Sequence, residues 1–392
     1  MICSKRIAGL LIVFLLLQQF AFAQVSASKL IPYRIGLLWG YADRKGNIII
    51  PTRYQEVFPF FNDVAVVKQD GHMSIIDDKG DVKIPFKYDF ISNFNSDGLA
   101  IVSRAGKWGV IDTRGKEIVK LKYDAIDDFS EGFAAAKTGA KIGFINKKGE
   151  EVVKPFYDAV LPFHEGLALV KAGPQFGFVN EKGVEAIPLQ FDGAVSFNNG
   201  LALVKKDSLM GFIKSDGNVA ISFLYDAANI FSEGLAVVMK SGLVGFINSS
   251  GEVVIPLQYE NANNFSEGLA LVQQNGLFGF IDQKGTVKIA PQYEAANNFH
   301  DGRALVSKDG WAMINKEGQL ISLNQYNTVQ DFNNGYARVQ RENRWGYIDI
   351  EGKEIIPPRY ENADDFEGGL ALVKSNGKWG YIDTGGKEFF RD

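Results

Sequence analysis

One small residue returns through this chain at an almost constant interval. It stands at Gly40, Ser74, Gly109, Gly143, Gly177, Gly211, Gly245, Gly279, Ala312, Gly346 and Gly380, with successive members 33 to 35 residues apart. A second glycine keeps the same beat, from Gly46 and Gly80 through to Gly352 and Gly386. A period held over so much of a chain restricts the fold to an array of similar units. Each short unit cannot bury its own apolar surface and must cover its neighbour's. No change of composition interrupts the period, so residues 24–392 read as one array without a separate catalytic domain.

The last full copy shows what one unit is. Leu370-Ala371-Leu372-Val373 and Trp379-Gly380-Tyr381-Ile382-Asp383 are short apolar runs bounded by turn residues, which predicts two strands. Asn376-Gly377 between them suits a tight hairpin turn, since both residues tolerate positive φ. Asp383 to Gly386 matches a type I turn. One copy earlier, Glu354-Ile355-Ile356-Pro357 supplies a third strand whose proline suits a sheet edge. The first strand is apolar on both faces, so the sheet must lie between two neighbours.

Two further aromatic positions repeat, a tyrosine running from Tyr54 to Tyr360 (Phe191 in one copy) and a phenylalanine running from Phe60 to Phe366. All five tryptophans, Trp39, Trp108, Trp311, Trp345 and Trp379, share one position, held elsewhere by Met73, Ile142, Phe176, Met210, Val244 and Phe278. Exchange among apolar residues of such different shape marks a packing position rather than a ligand-stacking one.

The expected fold is therefore all-β, a tandem array of about ten 34-residue three-stranded β-meander repeats with partial units at both ends. Open solenoid-like stacking is the first expectation, because a closed propeller typically holds about four to eight blades. A β-propeller-like arrangement is the alternative.

The N-terminus reads as a processing segment. Lys5 and Arg6 precede an apolar run from Ile7 to Leu17, and Ala21-Phe22-Ala23 is a small-x-small cleavage site. Residues 1–23 are thus expected to be a signal peptide cleaved after Ala23, and the mature protein to be periplasmic, surface-bound or secreted. The apolar run is short for a membrane span, so no transmembrane span is expected in the mature chain. The only cysteine, Cys3, lies ahead of the apolar run, so lipidation at its end is not expected and the mature chain cannot form disulfides. Removing Lys5 and Arg6 changes the net charge from −4 to −4 − 2 = −6. With 42 Lys plus Arg against 46 Asp plus Glu, no basic field points to nucleic acid.

Lys107-Trp108-Gly109-Val110-Ile111-Asp112, Arg344-Trp345-Gly346-Tyr347-Ile348-Asp349 and Lys378-Trp379-Gly380-Tyr381-Ile382-Asp383 resemble WG (KWG) repeats, a resemblance that covers about Trp39 to Glu388. It implies a bacterial, commonly exported β-rich repeat protein with no activity shared across the family. No functional residues come with it.

Catalytic, cofactor and metal chemistry finds little to work with. His72, His164 and His300 have no metal-ligand spacing, and no phosphate loop or nucleophile motif is present. The Asp-x-x-Gly turns vary to Asn146, Asn180, Asn248 and Lys214, which suits a turn better than a calcium loop. No catalytic residue, metal ligand or cofactor is therefore assigned, and the protein is not expected to be an enzyme. One polar position does repeat. An acid follows the tyrosine position as Asp89, Asp124, Asp158, Asp192, Asp226, Glu260, Glu294 and Glu361, with Gln55 and Asn327 as exceptions. A regular stack would align these acids as a recognition face, although an acid there also serves as a turn acceptor. The functional expectation is a binding or scaffolding module for an unknown protein or glycan partner, with a purely structural spacer as the alternative.

Overall fold

The computed structural model describes residues 30–61 and 63–392. The expected signal peptide, its cleavage site and Cys3 lie outside the described residues. Every regular element among the described residues is a β-strand, and no helix there is long and apolar enough to cross a membrane.

The strands form eleven small sheets, here called blades 1 to 11. Blade 7 is representative, with strand a at Ala227–Ala228, b at Leu235–Lys240, c at Leu243–Asn248 and d at Val253–Tyr259. Strands b, c and d are the expected meander. Strand a is the departure from a three-stranded unit, because the segment read as an irregular return pairs antiparallel with the next b strand. Each four-stranded blade thus borrows its first strand from the end of the preceding repeat.

The turns form as their residues dictate. Asn376 and Gly377 adopt φ of 50° and 75°, and Ser375 pairs with Lys378 across the hairpin. In the c–d turn Gly386 donates its N–H to the Asp383 carbonyl at 2.9 Å. Asp383 Oδ1 accepts from the N–H groups of Gly385 and Lys387 at 3.0 and 2.9 Å. Asp77 holds the N–H groups of Lys79 and Asp81 in the same way. The side-chain oxygen is occupied by backbone, as a turn requires.

Blades pack face to face, and this explains strands that are apolar on both sides. In blade 6, strand b spans Leu201–Lys206. Its Ala202 and Val204 face Leu169, Phe178 and Ile187 of blade 5, while Leu203 packs with Ala236 and Val238 of blade 7. Each adjacent pair of blades has one such apolar cluster, and there are eleven clusters for eleven sheets. A row of eleven open sheets would have only ten interfaces. The eleventh cluster joins Ile31, Tyr33 and Ala42 of blade 1 to Phe389, with Leu370 and Tyr381 of blade 11 against it. The array is closed, an eleven-bladed β-propeller, and the expectation of an open solenoid is corrected. The period shows that units stack; whether their rotations sum to a full turn is set by the angle between packed sheets, which no local motif records.

Closure adds backbone bonds to that seam. Phe390–Arg391 pairs parallel with Arg34–Ile35 of blade 1 and completes its sheet. Arg34 N–H donates to Phe389 O at 3.2 Å and Gly36 N–H to Arg391 O at 3.0 Å. Arg34 is only 2% exposed, and its side chain donates to the carbonyl of Trp379 at 2.7 Å and to Asp392 Oδ1 at 3.1 Å. A buried guanidinium is tolerated because its donors find acceptors around it.

The recurring glycine of strand c has a steric role. A Cβ at Gly109, Gly177, Gly211, Gly245 or Gly279 would lie 2.5–2.7 Å from a carbonyl oxygen of strand d. Strand d crosses that close and bulges there; Val244 to Phe246 spans two residues, whereas the partners Tyr259 and Ile255 span four. The bend carries strand d straight into strand a of the next blade. The two blades without the glycine have weaker d edges. Buried Ser74 donates its hydroxyl to Ile84 O, and blade 2 keeps only single bridges in place of strand d. With Ala312, blade 9 has a short strand d, Leu320–Ser322, paired without a bulge.

Two outcomes follow. Gly245→Ala should destabilise by about 1–3 kcal/mol, the range for an overpacked site that forces a backbone shift; chemical denaturation measures this. Arg34→Ala should lose roughly 2–3 kcal/mol through its charge-assisted hydrogen bonds. Hydrogen exchange in that variant should rise first at Arg34–Ile35 and Phe389–Arg391 rather than uniformly.

Candidate functional site

All b–c hairpins share one face of the ring, and the repeated acids lie exposed beside them. Asp124 Oδ2 accepts the N–H of Gly139 in the blade 4 hairpin at 2.6 Å, and its Oδ1 accepts from Lys107 Nζ of blade 3 at 2.7 Å. Asp158 repeats this with Gly173 N–H at 2.8 Å and Lys141 Nζ at 2.7 Å. Each of these acids ties two consecutive blades. The lysine hydrogen bond first, and the turn N–H second, hold both carboxyls below the usual aspartate range.

The other acids keep the turn bond and differ in the cation. Asp89, Asp192, Asp226, Glu260 and Glu361 accept the hairpin N–H of Ala105, Asp207, Ser241, Gly276 and Gly377. Glu361 also has Arg344 at 3.8 Å, and Asp89 has His72 at 3.7 Å. Glu294 makes neither bond among the described residues. The structure thus sets all eight on one face, one per blade junction, without gathering them into a cluster.

The tryptophans are half-buried rather than enclosed. Trp108 meets Phe90 of its own strand a at 5.5 Å between centroids, Trp39 meets Tyr381 across the seam at 6.1 Å, and Arg338 lies over Trp345. Beside two of the side chains that replace tryptophan at this position, a groove opens. It spans blades 5, 6 and 7 with a volume of about 740 Å³. Phe176 and Met210, both at the tryptophan position, lie in it with Leu169, Leu203, Val160 and Val195. Its strand a residues are Val160 and Leu161 with the small Ala159, Gly193, Ala194, Ala227 and Ala228, and Lys171, Lys205, Asp192 and Asp226 line it as charged groups. Lys171 Nζ sits over the Phe176 ring at 5.2 Å. The repeat pattern did show tryptophan missing from the middle copies. That the neighbours would not close over the gap could be seen only once the blades were packed.

A family model for the WG containing repeat matches ten tandem segments, from residues 39–71 to residues 345–379. The chain belongs to the WG repeat family. Nine of the ten matched units begin at the tryptophan position of strand c and the other at the next residue, Gly245. Comparison with curated proteins gives no match. Among solved structures, a eukaryotic initiation factor is 9% identical over 91% of this chain and 93% of its own, with a TM-score of 0.45. The extracellular domain of the hybrid two-component system BT3049 from B. thetaiotaomicron is 10% identical over 90% of this chain and 60% of its own, at 0.27. PorZ, a surface component of the type-IX secretion system of Porphyromonas gingivalis, is 10% identical over 87% and 52%, at 0.26. Likenesses this loose carry no functional argument.

The depressed pKa values of Asp124 and Asp158 have a definite sign. Their contribution to stability is complete above the unfolded value of 3.8 and is lost as pH falls through the lower folded values. The double variant Asp124→Asn, Asp158→Asn should therefore melt slightly below the parent at pH 7, by the small contribution of exposed pairs, and converge with it as pH falls below about 4, so that its acid limb is flatter. An unaltered acid limb would remove these residues from the titration.

Proposed function

We propose that this WG repeat protein is a non-catalytic, exported binding ring that holds an extended segment of a partner protein in the groove of blades 5–7. The observation that carries this is the groove itself, formed where the ring gives up its tryptophan filler. A packed array without a ligand would gain stability by filling such a space, since unfilled apolar volume destabilises. The aliphatic floor and small-residue walls suit apolar side chains of a peptide. Sugar stacking would call for an open aromatic face, and the half-buried tryptophans already engage neighbouring side chains. Non-catalytic binding agrees with the placement of His72, His164 and His300, each exposed on a separate blade. Export rests on the basic, apolar and Ala-x-Ala order of residues 1–23.

Met210→Trp tests the groove with a side chain that five other copies carry at the same position. It should fold like the parent and fill the groove. A displayed random-peptide library and a glycan array, each screened on parent and variant, should yield peptides whose affinity drops roughly tenfold or more with the tryptophan, about 1.4 kcal/mol. Glycan hits alone would overturn the protein-binding reading, and no groove-dependent hits of either kind would favour a structural spacer. For export, N-terminal sequencing from the native host should begin at Gln24, and a chain beginning at Met1 would refute cleavage.

A further inference from the structure

We propose that the groove continues over the hairpin face of blades 6–8 as a docking surface for a partner segment carrying apolar side chains interspersed with lysine or arginine. This rests on the peptide-binding reading above and adds the partner's chemistry and the direction in which it extends.

The argument starts from the motif. In blades 3, 4, 10 and 11 the first residue of the c strand is Lys107, Lys141, Arg344 or Lys378, and each reaches the acid at the following junction: Asp124, Asp158, Glu361 and Asp392. In blades 6, 7 and 8 that residue is Leu209, Leu243 and Leu277. Leu243 is 45% exposed and Leu277 36%, and Leu209 adjoins the groove residue Met210. Three consecutive hairpins thus carry exposed or partly exposed leucine where blades 3, 4, 10 and 11 present a cation; Leu38 of blade 1 also sits at this position, but the junction after it has Gln55 in place of an acid. Exposed apolar groups grouped on one face mark an interaction surface more than scattered ones do.

The charge of the occupant follows from what the leucines leave behind. Asp226, Glu260 and Glu294 lie at these junctions, and none has a cation within 4 Å among the described residues. The paired b-strand position offers no substitute, since it holds Met239, Gln273 and Ser307. Lys206 and Lys240 stand opposite Leu209 and Leu243 across their hairpins and make no ion pair with these acids. Lys171, Lys205, Lys206 and Lys240 keep blades 5 to 7 mixed in charge, and the blade 8 hairpin, with Glu260 and no lysine or arginine from Gln273 to Leu277, is the anionic end. Apolar ground edged by uncompensated carboxylates is complementary to an apolar segment bearing cations. The ring supplies the counter-charge itself wherever Lys or Arg occupies the motif, and the partner supplies it where leucine does.

The test uses the whole ring and blocked synthetic peptides of alternating lysine and valine, with alternating glutamate and valine as control, read by fluorescence anisotropy. The lysine peptide should bind, the glutamate peptide should not, and binding should weaken with added salt. The triple variant Leu209→Lys, Leu243→Lys, Leu277→Lys restores the motif cation and should fold as the parent does while weakening the lysine peptide roughly tenfold or more. A second variant, Asp226→Asn, Glu260→Gln, Glu294→Gln, keeps the amide acceptors and should show the same loss. Equal binding of both peptides, or lysine-peptide binding unchanged in both variants, overturns the proposal. If groove-dependent library peptides lose affinity with Met210→Trp and none is affected by the lysine variant, the groove reading stands and this extension falls.

Discussion

The close approach of strand d to the glycine of strand c is the contact on which the rest of this ring depends. With no Cβ in the way, a strand d carbonyl sits over the glycine, two extra residues bulge out, and the strand turns toward the next sheet. That turn lets a single residue, such as Asp226 between Tyr225 and Ala227, separate strand d of one blade from strand a of the next. Without the glycine the d edge weakens, to single bridges in blade 2 that keep the bulged register and to a short unbulged strand in blade 9, while the hairpins of strands b and c persist. The glycine therefore secures the strand d edge, while the one-residue link itself also forms without it, as at Asp89 between Tyr88 and Phe90.

Stability is distributed in the same way. Each sheet is covered on both faces by neighbours, so the apolar core is a ring of eleven small clusters rather than one body. Nearest-neighbour contacts of this kind make a repeat array stable unit by unit. The seam between blades 11 and 1 has the smallest apolar cluster, with four buried residues. It compensates with backbone pairing and a buried arginine whose donors meet carbonyls and Asp392.

Against that uniform frame, the variable positions carry the individuality of the molecule. Tryptophan and lysine of the motif do separate jobs, one lying over the sheet and one neutralising the acid at the next junction. Blades 6 to 8 lack both at once, and blade 5 lacks them too, with Gln175 and Phe176 in their places. Losing the ring opens the groove and losing the cation leaves acid beside apolar surface. Because the scaffold is carried by glycine, turn and tyrosine positions, these changes leave the blades intact. Function can vary here with little penalty to the fold.

Much of this was legible in the residues. The period of the glycines, the Asn-Gly and Asp-x-x-Gly turns and the doubly apolar strands determine all-β units stacked face to face, because turn chemistry and strand alternation are local and each copy repeats them. The acids after the tyrosine were visible as a repeated line, and Gly139 and Gly173 show why a turn needs them. What only the tertiary structure decided is how the units add up. Strand a belongs to the following blade, the rotations close after eleven blades, and Arg34 is buried at the seam, since all three depend on the relative orientation of segments far apart in the chain. The same holds for the groove: Phe176 and Met210 are ordinary apolar residues in sequence, and space remains beside them only because the backbones of three blades are held apart by the ring.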